Sequence, residues 1–212
     1  MNEKTDAYWN DYYAQKTVQS IPSQFASFVL NEFSGNSTFV DIGCGDGRDS
    51  LFFAEFGKNL FGIDGSLEAV SFCRDAAEKR KIPNTHFDVL NLNSAAGCDT
   101  FLASDHGIPS NSIVYARFFL HAIDAAAEQN FLKVARSFVG DSGKLCLEFR
   151  TPKDEQLVKV TADHYRRYVD PAQFILTAGA HGFKCSYFAE GFGFAKYKAD
   201  DAYVARIILE AS

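Results

Sequence analysis

The chain has 212 residues, of which 47% are hydrophobic, 23% charged and 15% aromatic, and its formal net charge is −6. That length suffices for one sizeable domain with a buried core, while the acidic balance disfavours the broad basic face that a nucleic-acid partner requires. Five scattered cysteines without CxxC pairs fit reduced thiols in a cytoplasmic protein, and neither they nor the five dispersed histidines show zinc-ligand spacing.

The first residues, MNEKTDAYWNDYYAQ, hold no apolar leader core, and no stretch approaches membrane-spanning length. This aromatic arm, 1–36 with the helix that follows it, is expected to act as a lid on a core at 37–212, the whole forming one domain. Pro22 and Ser23 signal the start of that helix, with Phe25, Phe28, Val29 and Phe33 at roughly helical spacing. TFVDIG (38–43) reads as a buried strand ending in glycines, and RDSLFFAEFG as a helix closed by Gly57. The alternation repeats: strand NLFGID (59–64), a helix capped by Ser66 and running to Arg80, strand THFDVL (85–90), strand SIVYAR (112–117). Helix EQNFLKVARSFV (128–139) and strand KLCLEFR (144–150) follow. Asp170 and Pro171 open a further helix, and strands FKCSYF (183–188) and YVARIIL (203–209) close the chain. Strands alternating with helices predict an α/β fold, a mainly parallel sheet covered on both faces, with the ligand crevice at the carboxyl ends of its strands.

The loop VDIGCGDGRDS lies at the first such end. A dinucleotide fingerprint needs its third glycine at position 48, where Arg48 stands. Asp41 before the loop and Asp46 within it suit a positively charged cofactor end better than a pyrophosphate. S-adenosylmethionine, with a sulfonium and an ammonium and no phosphate, meets that demand. Asp64 ends the second strand, either as a ribose ligand or as a turn residue before Gly65. Asp88 lies at the end of the third, as an adenine acceptor or a solvated strand end. Acids at three successive strand ends favour the ligand reading.

VDIGCGDGRDS, GIDGS and FDVLN together resemble the class I S-adenosylmethionine-dependent methyltransferases, over roughly Ser37 to Leu209. The resemblance implies a Rossmann-like seven-stranded sheet whose last strand is antiparallel and inserted beside the fifth. It implies that Asp41, Gly43 and Gly45 hold the methionine part, Asp64 the ribose, and Asp88 with Val89 the adenine. Cys44, Arg48, Gly65 and Ser66 flank these groups and complete the expected cofactor site, although Cys44 also reads as a small residue filling a tight turn.

For the methyl acceptor, the loop YARFFLHAID after the fourth strand offers Arg117 as an anchor and His121 as a general base, on one face if the segment turns helically. A salt-bridged arginine and a core histidine are the plainer readings. The amino-methyltransferase and cytosine-methyltransferase motifs are missing there, and Arg117 occupies the place where a metal-dependent enzyme would want an acid, so metal-independent transfer is expected. Arg150, His164, Tyr165 and Arg167, with Tyr13 of the arm, are the expected substrate contacts. Their guanidinium groups suit a small anionic acceptor, although a solvated loop paired with acids is the rival reading. The wider pattern also resembles bacterial methyltransferases of capsule and surface-polysaccharide biosynthesis, which implies O-methylation of a sugar or phosphate-type group. N-methylation of a small amine or amide, a non-catalytic cofactor-binding protein and a nicotinamide oxidoreductase are the alternatives.

Overall fold

The computed structural model describes residues 21–157, 165–197 and 200–212. Seven strands form one sheet: β1 (Thr38–Ile42), β2 (Asn59–Asp64), β3 (Thr85–Val89), β4 (Ile113–Arg117), β5 (Lys144–Arg150), β6 (Phe183–Gly191) and β7 (Val204–Ala211). Their order is β3-β2-β1-β4-β5-β7-β6. β1 to β5 pair in parallel, whereas β7 runs antiparallel to both β5 and β6, so the expected insertion of the last strand beside the fifth is found.

Among the described residues six α-helices cover the sheet: α1 (Gln24–Glu32), α2 (Arg48–Glu55), α3 (Leu67–Arg80), α4 (Ala95–Ala103), α5 (Ala125–Val139) and α6 (Pro171–Ala180). Side-chain oxygens of Ser23, Ser66, Ser94, Asp124 and Asp170 accept from the amide three residues on, capping five of them. One face of the sheet buries Phe39, Tyr115, Cys146 and Ile208 against Phe25 of α1, Leu51 of α2 and Val70 of α3. The other buries Val40, Phe61, Phe149 and Ile207 against Phe101 of α4, Phe131 of α5 and Phe174 of α6. Burying each such phenylalanine contributes about 2–3 kcal/mol. Alternation along each strand therefore fixes which residues face which helix layer.

Three elements differ most from the sequence reading. α4 was not anticipated, because only Cys98 and Phe101 of its nine residues are buried and Gly97 interrupts the pattern. α5 starts three residues before Glu128, capped by Asp124. β6 continues to Gly191 as an edge strand whose residues are largely exposed, with a register shift between Cys185 and Tyr187 that irregularises the open edge. No helix among the described residues is long and apolar enough to cross a membrane.

The strand order reverses between β1 and β4, whose following loops diverge to opposite faces and open a crevice there. The glycine loop after β1 and the segment after β4 form its walls.

Candidate functional site

The loop joining β1 to α2 turns through Gly43, Gly45 and Gly47, all at positive φ. A Cβ on Gly43 would stand 2.2 Å from Cδ2 of Phe119, so the ring of the post-β4 segment lies flat against this glycine. The amides of Gly43 and Cys44 both donate to the Ile63 carbonyl, at 2.7 and 3.1 Å, and Gly47 donates to the Cys44 carbonyl at 3.0 Å. The amide of Gly45 donates to Asp64 Oδ2 at 2.9 Å. A phosphate cradle needs such N–H groups pointing at the ligand. Here four of them are committed within the fold, which disfavours a pyrophosphate and fits a cofactor without one.

Asp41 is 3% exposed and accepts from the Ser50 hydroxyl at 2.5 Å. Burial pushes its carboxyl up to about 8, against the opposing Ser50 hydrogen bond and with Asp49 and Asp64 adding to the rise. A cationic group beside it would return it to the anion, which is the service an amino-acid ammonium provides. Asp64, at the carboxyl end of β2, is also raised by burial, opposed by the amides of Ser66, Gly45 and Gly65 that it attracts. It stands opposite Val89 in the β2–β3 register, and Val89 is exposed at the strand end as an apolar surface for a flat ring. These groups fit S-adenosylmethionine: Asp41 toward the ammonium, Asp64 toward the ribose and Val89 toward the adenine.

Cys44, Ser66 and Asp88, also expected at the cofactor, make contacts of their own within the fold. The Cys44 side chain points into the core, its sulfur 3.3 Å from where a Cβ on Gly62 would lie. Ser66 caps α3, accepting from Ala69 and donating to Glu68. Asp88 pairs with Ile63, one residue short of the strand end, and its carboxylate accepts from the Val89 amide and lies 3.9 Å from Arg74. Asn91 follows two residues after Val89, its Cα 4.0 Å from where a Cβ on Gly65 would lie and its side-chain oxygen accepting from Asn93.

On the other wall, Arg117 ends β4 opposite Glu148 of β5, which is in turn opposite Arg206 of β7. The fully buried Glu148 accepts from Nε of both arginines at 2.7 Å. Phe118 follows at φ 52°, a left-handed conformation that a bulky residue adopts only under constraint. Its amide donates to the Glu148 carbonyl, and the guanidinium groups of Arg117 and Arg150 lie 4.2 and 5.3 Å from its ring centre. Nothing in the sequence marks Phe118 as strained. His121 lies in a short 3₁₀ turn (Leu120–Ala122), is 5% exposed, and stands 5.6 Å from the Phe118 ring. Its carbonyl accepts from the Arg167 amide.

Of the arginines expected to contact the acceptor, Arg150 and Arg167 both carry acidic partners, as the rival reading of a loop paired with acids has it. Arg150 is buried and donates to Asp154 at 2.6 Å and Asp200 at 2.7 Å. Arg167 is tied to Glu128 and to the Leu120 carbonyl. Tyr165 is exposed. Tyr13, His164 and residues 1–20 of the expected lid lie outside the described residues, while the helix that follows the arm, α1, buries Phe25, Ala26 and Val29 in the core. Among the described residues no three His, Cys, Asp or Glu side chains are grouped as a metal site.

Residues 33–137 match a family model described as a methyltransferase domain. The chain is 32% identical over 60 residues to the 2-heptyl-1-hydroxyquinolin-4(1H)-one methyltransferase of Mycobacteroides abscessus, a stretch covering 28% of this chain and 26% of that protein. In fold it is similar to an S-adenosylmethionine-dependent methyltransferase of Anabaena variabilis, with TM-score 0.74 and 16% identity over 98% of this chain and 93% of that one. It is likewise similar to the glycopeptide N-methyltransferase MtfA complexed with sinefungin, with TM-score 0.69 and 12% identity over 93% and 90% of the two chains. Residues 33 to 137 thus match a methyltransferase domain, and the fold throughout is one shared with S-adenosylmethionine-dependent methyltransferases of known structure.

Proposed function

We propose that the chain moves a methyl group from S-adenosylmethionine to an oxygen of a small anionic acceptor. The observation that carries this reading is His121, buried four residues beyond the end of β4 with its ring beside Phe118, on the wall facing the glycine loop. When bound, the cofactor supplies an electrophilic methyl group on a sulfonium. His121 takes the hydroxyl proton as the acceptor oxygen attacks, and Phe118 and Phe119 keep water from the reacting atoms. Alignment of the two reactants provides most of the acceleration. The acceptor of the mycobacterial relative, a 1-hydroxyquinolin-4(1H)-one, carries a hydroxyl, in keeping with transfer to oxygen. A sugar or phosphate-type group of surface-polysaccharide biosynthesis is the acceptor class that the sequence resemblance suggests.

The test is transfer from methyl-labelled cofactor across phosphorylated sugars, uronic acids, hydroxylated aromatic acids and small amines. Products methylated at oxygen are expected, with a loss of about 100-fold in kcat for His121→Gln. Transfer to amines alone, or full turnover by His121→Gln, would overturn the assignment.

A further inference from the structure

The arginines expected to bind the acceptor's negative charge, Arg150 and Arg167, are held by buried acids, yet one guanidinium on the same wall keeps its outer edge open. Arg117 donates through Nε to Glu148, and among the described residues its Nη1 and Nη2 make no hydrogen bond. Its side chain is 11% exposed, with the guanidinium carbon 4.2 Å from the Phe118 ring centre, so that edge meets little bulk water. Glu148 is itself pinned from the far side by Arg206, whose guanidinium also donates to the Phe194 carbonyl and lies 5.2 Å from the Phe25 ring centre. The carboxylate therefore cannot swing to cover the Nη edge. Arg48, the first residue of α2, repeats the arrangement: Nε goes to Asp49 at 3.2 Å, and among the described residues its Nη1 and Nη2 make no hydrogen bond. Asp49 feels the charge of both Arg48 and Arg117, and it accepts from Tyr115, which shares a face of β4 with Arg117. Both guanidinium groups thus act on Asp49, in the first turn of the eight-residue α2, whose N-terminal end itself favours an anion.

We infer that the open edge of Arg117, with Arg48 beside it, is an anion subsite that takes the carboxylate or phosphate oxygens of the acceptor. This rests on the methyltransferase reading above and relocates the acceptor's charge from the outer loops to the end of β4. A two-point guanidinium fork suits planar carboxylate and tetrahedral phosphate oxygens equally. The same chemistry could instead serve the cofactor's own carboxylate, and the experiment separates the two.

The full chain, saturated with S-adenosylhomocysteine, is titrated with inorganic phosphate and with acetate by calorimetry. Saturable binding is expected with the cofactor product still in place, weakened about 10-fold or more in Arg117→Met and retained in Arg80→Met, whose arginine pairs with Glu55 far from the crevice. No saturable binding while S-adenosylhomocysteine binds overturns the subsite and leaves the methyltransferase reading standing. Displacement of S-adenosylhomocysteine by the anion assigns Arg117 to the cofactor carboxylate and also overturns it. Failure of S-adenosylhomocysteine itself to bind takes both down. If Arg117→Met does not fold by circular dichroism, Arg117→Lys decides: it keeps a charge for Glu148 and loses the fork, so unchanged phosphate affinity refutes the proposal.

Discussion

Asp41 gives the sharpest test, because its burial and its proposed role oppose each other. Its carboxyl, ordinarily at 3.8, is pushed up to about 8 in the folded protein without cofactor. Between those values the folded chain holds a proton that the unfolded chain has released. Stability therefore falls as pH rises through this window, by about 1.4 kcal/mol per pH unit, and flattens above the folded value. At about pH 7 the accumulated penalty is roughly 4 kcal/mol as an upper bound, and relaxation of the site reduces it. Asparagine has nearly the same shape, cannot ionise, and keeps an oxygen to accept from Ser50.

Asp41→Asn is accordingly expected to be more stable than the native chain near neutral pH. Its advantage should grow by about 1.4 kcal/mol for each pH unit between roughly pH 5 and pH 7. Urea unfolding of both proteins at several pH values measures the difference, in which titrating groups that do not interact with Asp41 cancel. The cofactor side has the opposite sign. An ammonium partner needs the anion, so native affinity for S-adenosylhomocysteine should weaken by up to about tenfold per pH unit below about pH 8. The variant should bind more weakly and without that slope. A constant stability difference across pH, or the same affinity slope in both proteins, would refute the reasoning about Asp41.

Two further expectations concern the walls of the crevice. Gly43→Ala places a Cβ 2.2 Å from the Phe119 ring at a backbone angle of φ 79°. Displacing the ring and straining the turn should cost about 2–4 kcal/mol in urea unfolding and lower S-adenosylhomocysteine affinity about tenfold or more in calorimetry. A native-like melting temperature would show that the contact yields freely. Arg150→Met leaves Asp154 and Asp200 buried without their shared cation. It should destabilise by about 3–5 kcal/mol while cofactor affinity holds, and a loss of affinity at native stability would return Arg150 to the binding surface.

The parts of this molecule legible in the sequence are those set by neighbours along the chain. Strand ends followed by glycine, caps such as Ser23, Ser66 and Asp170, and the alternation of strand and helix are all local signals, and the sheet follows from them. Asp41 and Asp64 could be placed for the same reason, since each closes or nearly closes a strand. The charge pattern of the acceptor side was not legible, because its partners are remote. Glu148 reaches Arg117 across 31 residues and Arg206 across 58, and Arg150 reaches Asp200 across 50. A run of arginines in a sequence shows how much positive charge is near, and the register of distant strands decides how much of it remains open. β7 makes that decision here. By running antiparallel between β5 and β6, it sets Arg206 against Glu148 and brings Asp200, just before its start, onto Arg150. One arginine is thereby closed off and another held with its outer edge open. A chain with the same local motifs and a one-residue shift of β7 would present each of its side chains to the opposite face of the sheet. Acceptor charge preference in this fold should therefore be sought in the pairing of the fifth and seventh strands, and the glycine loop that announces the cofactor carries little information about it.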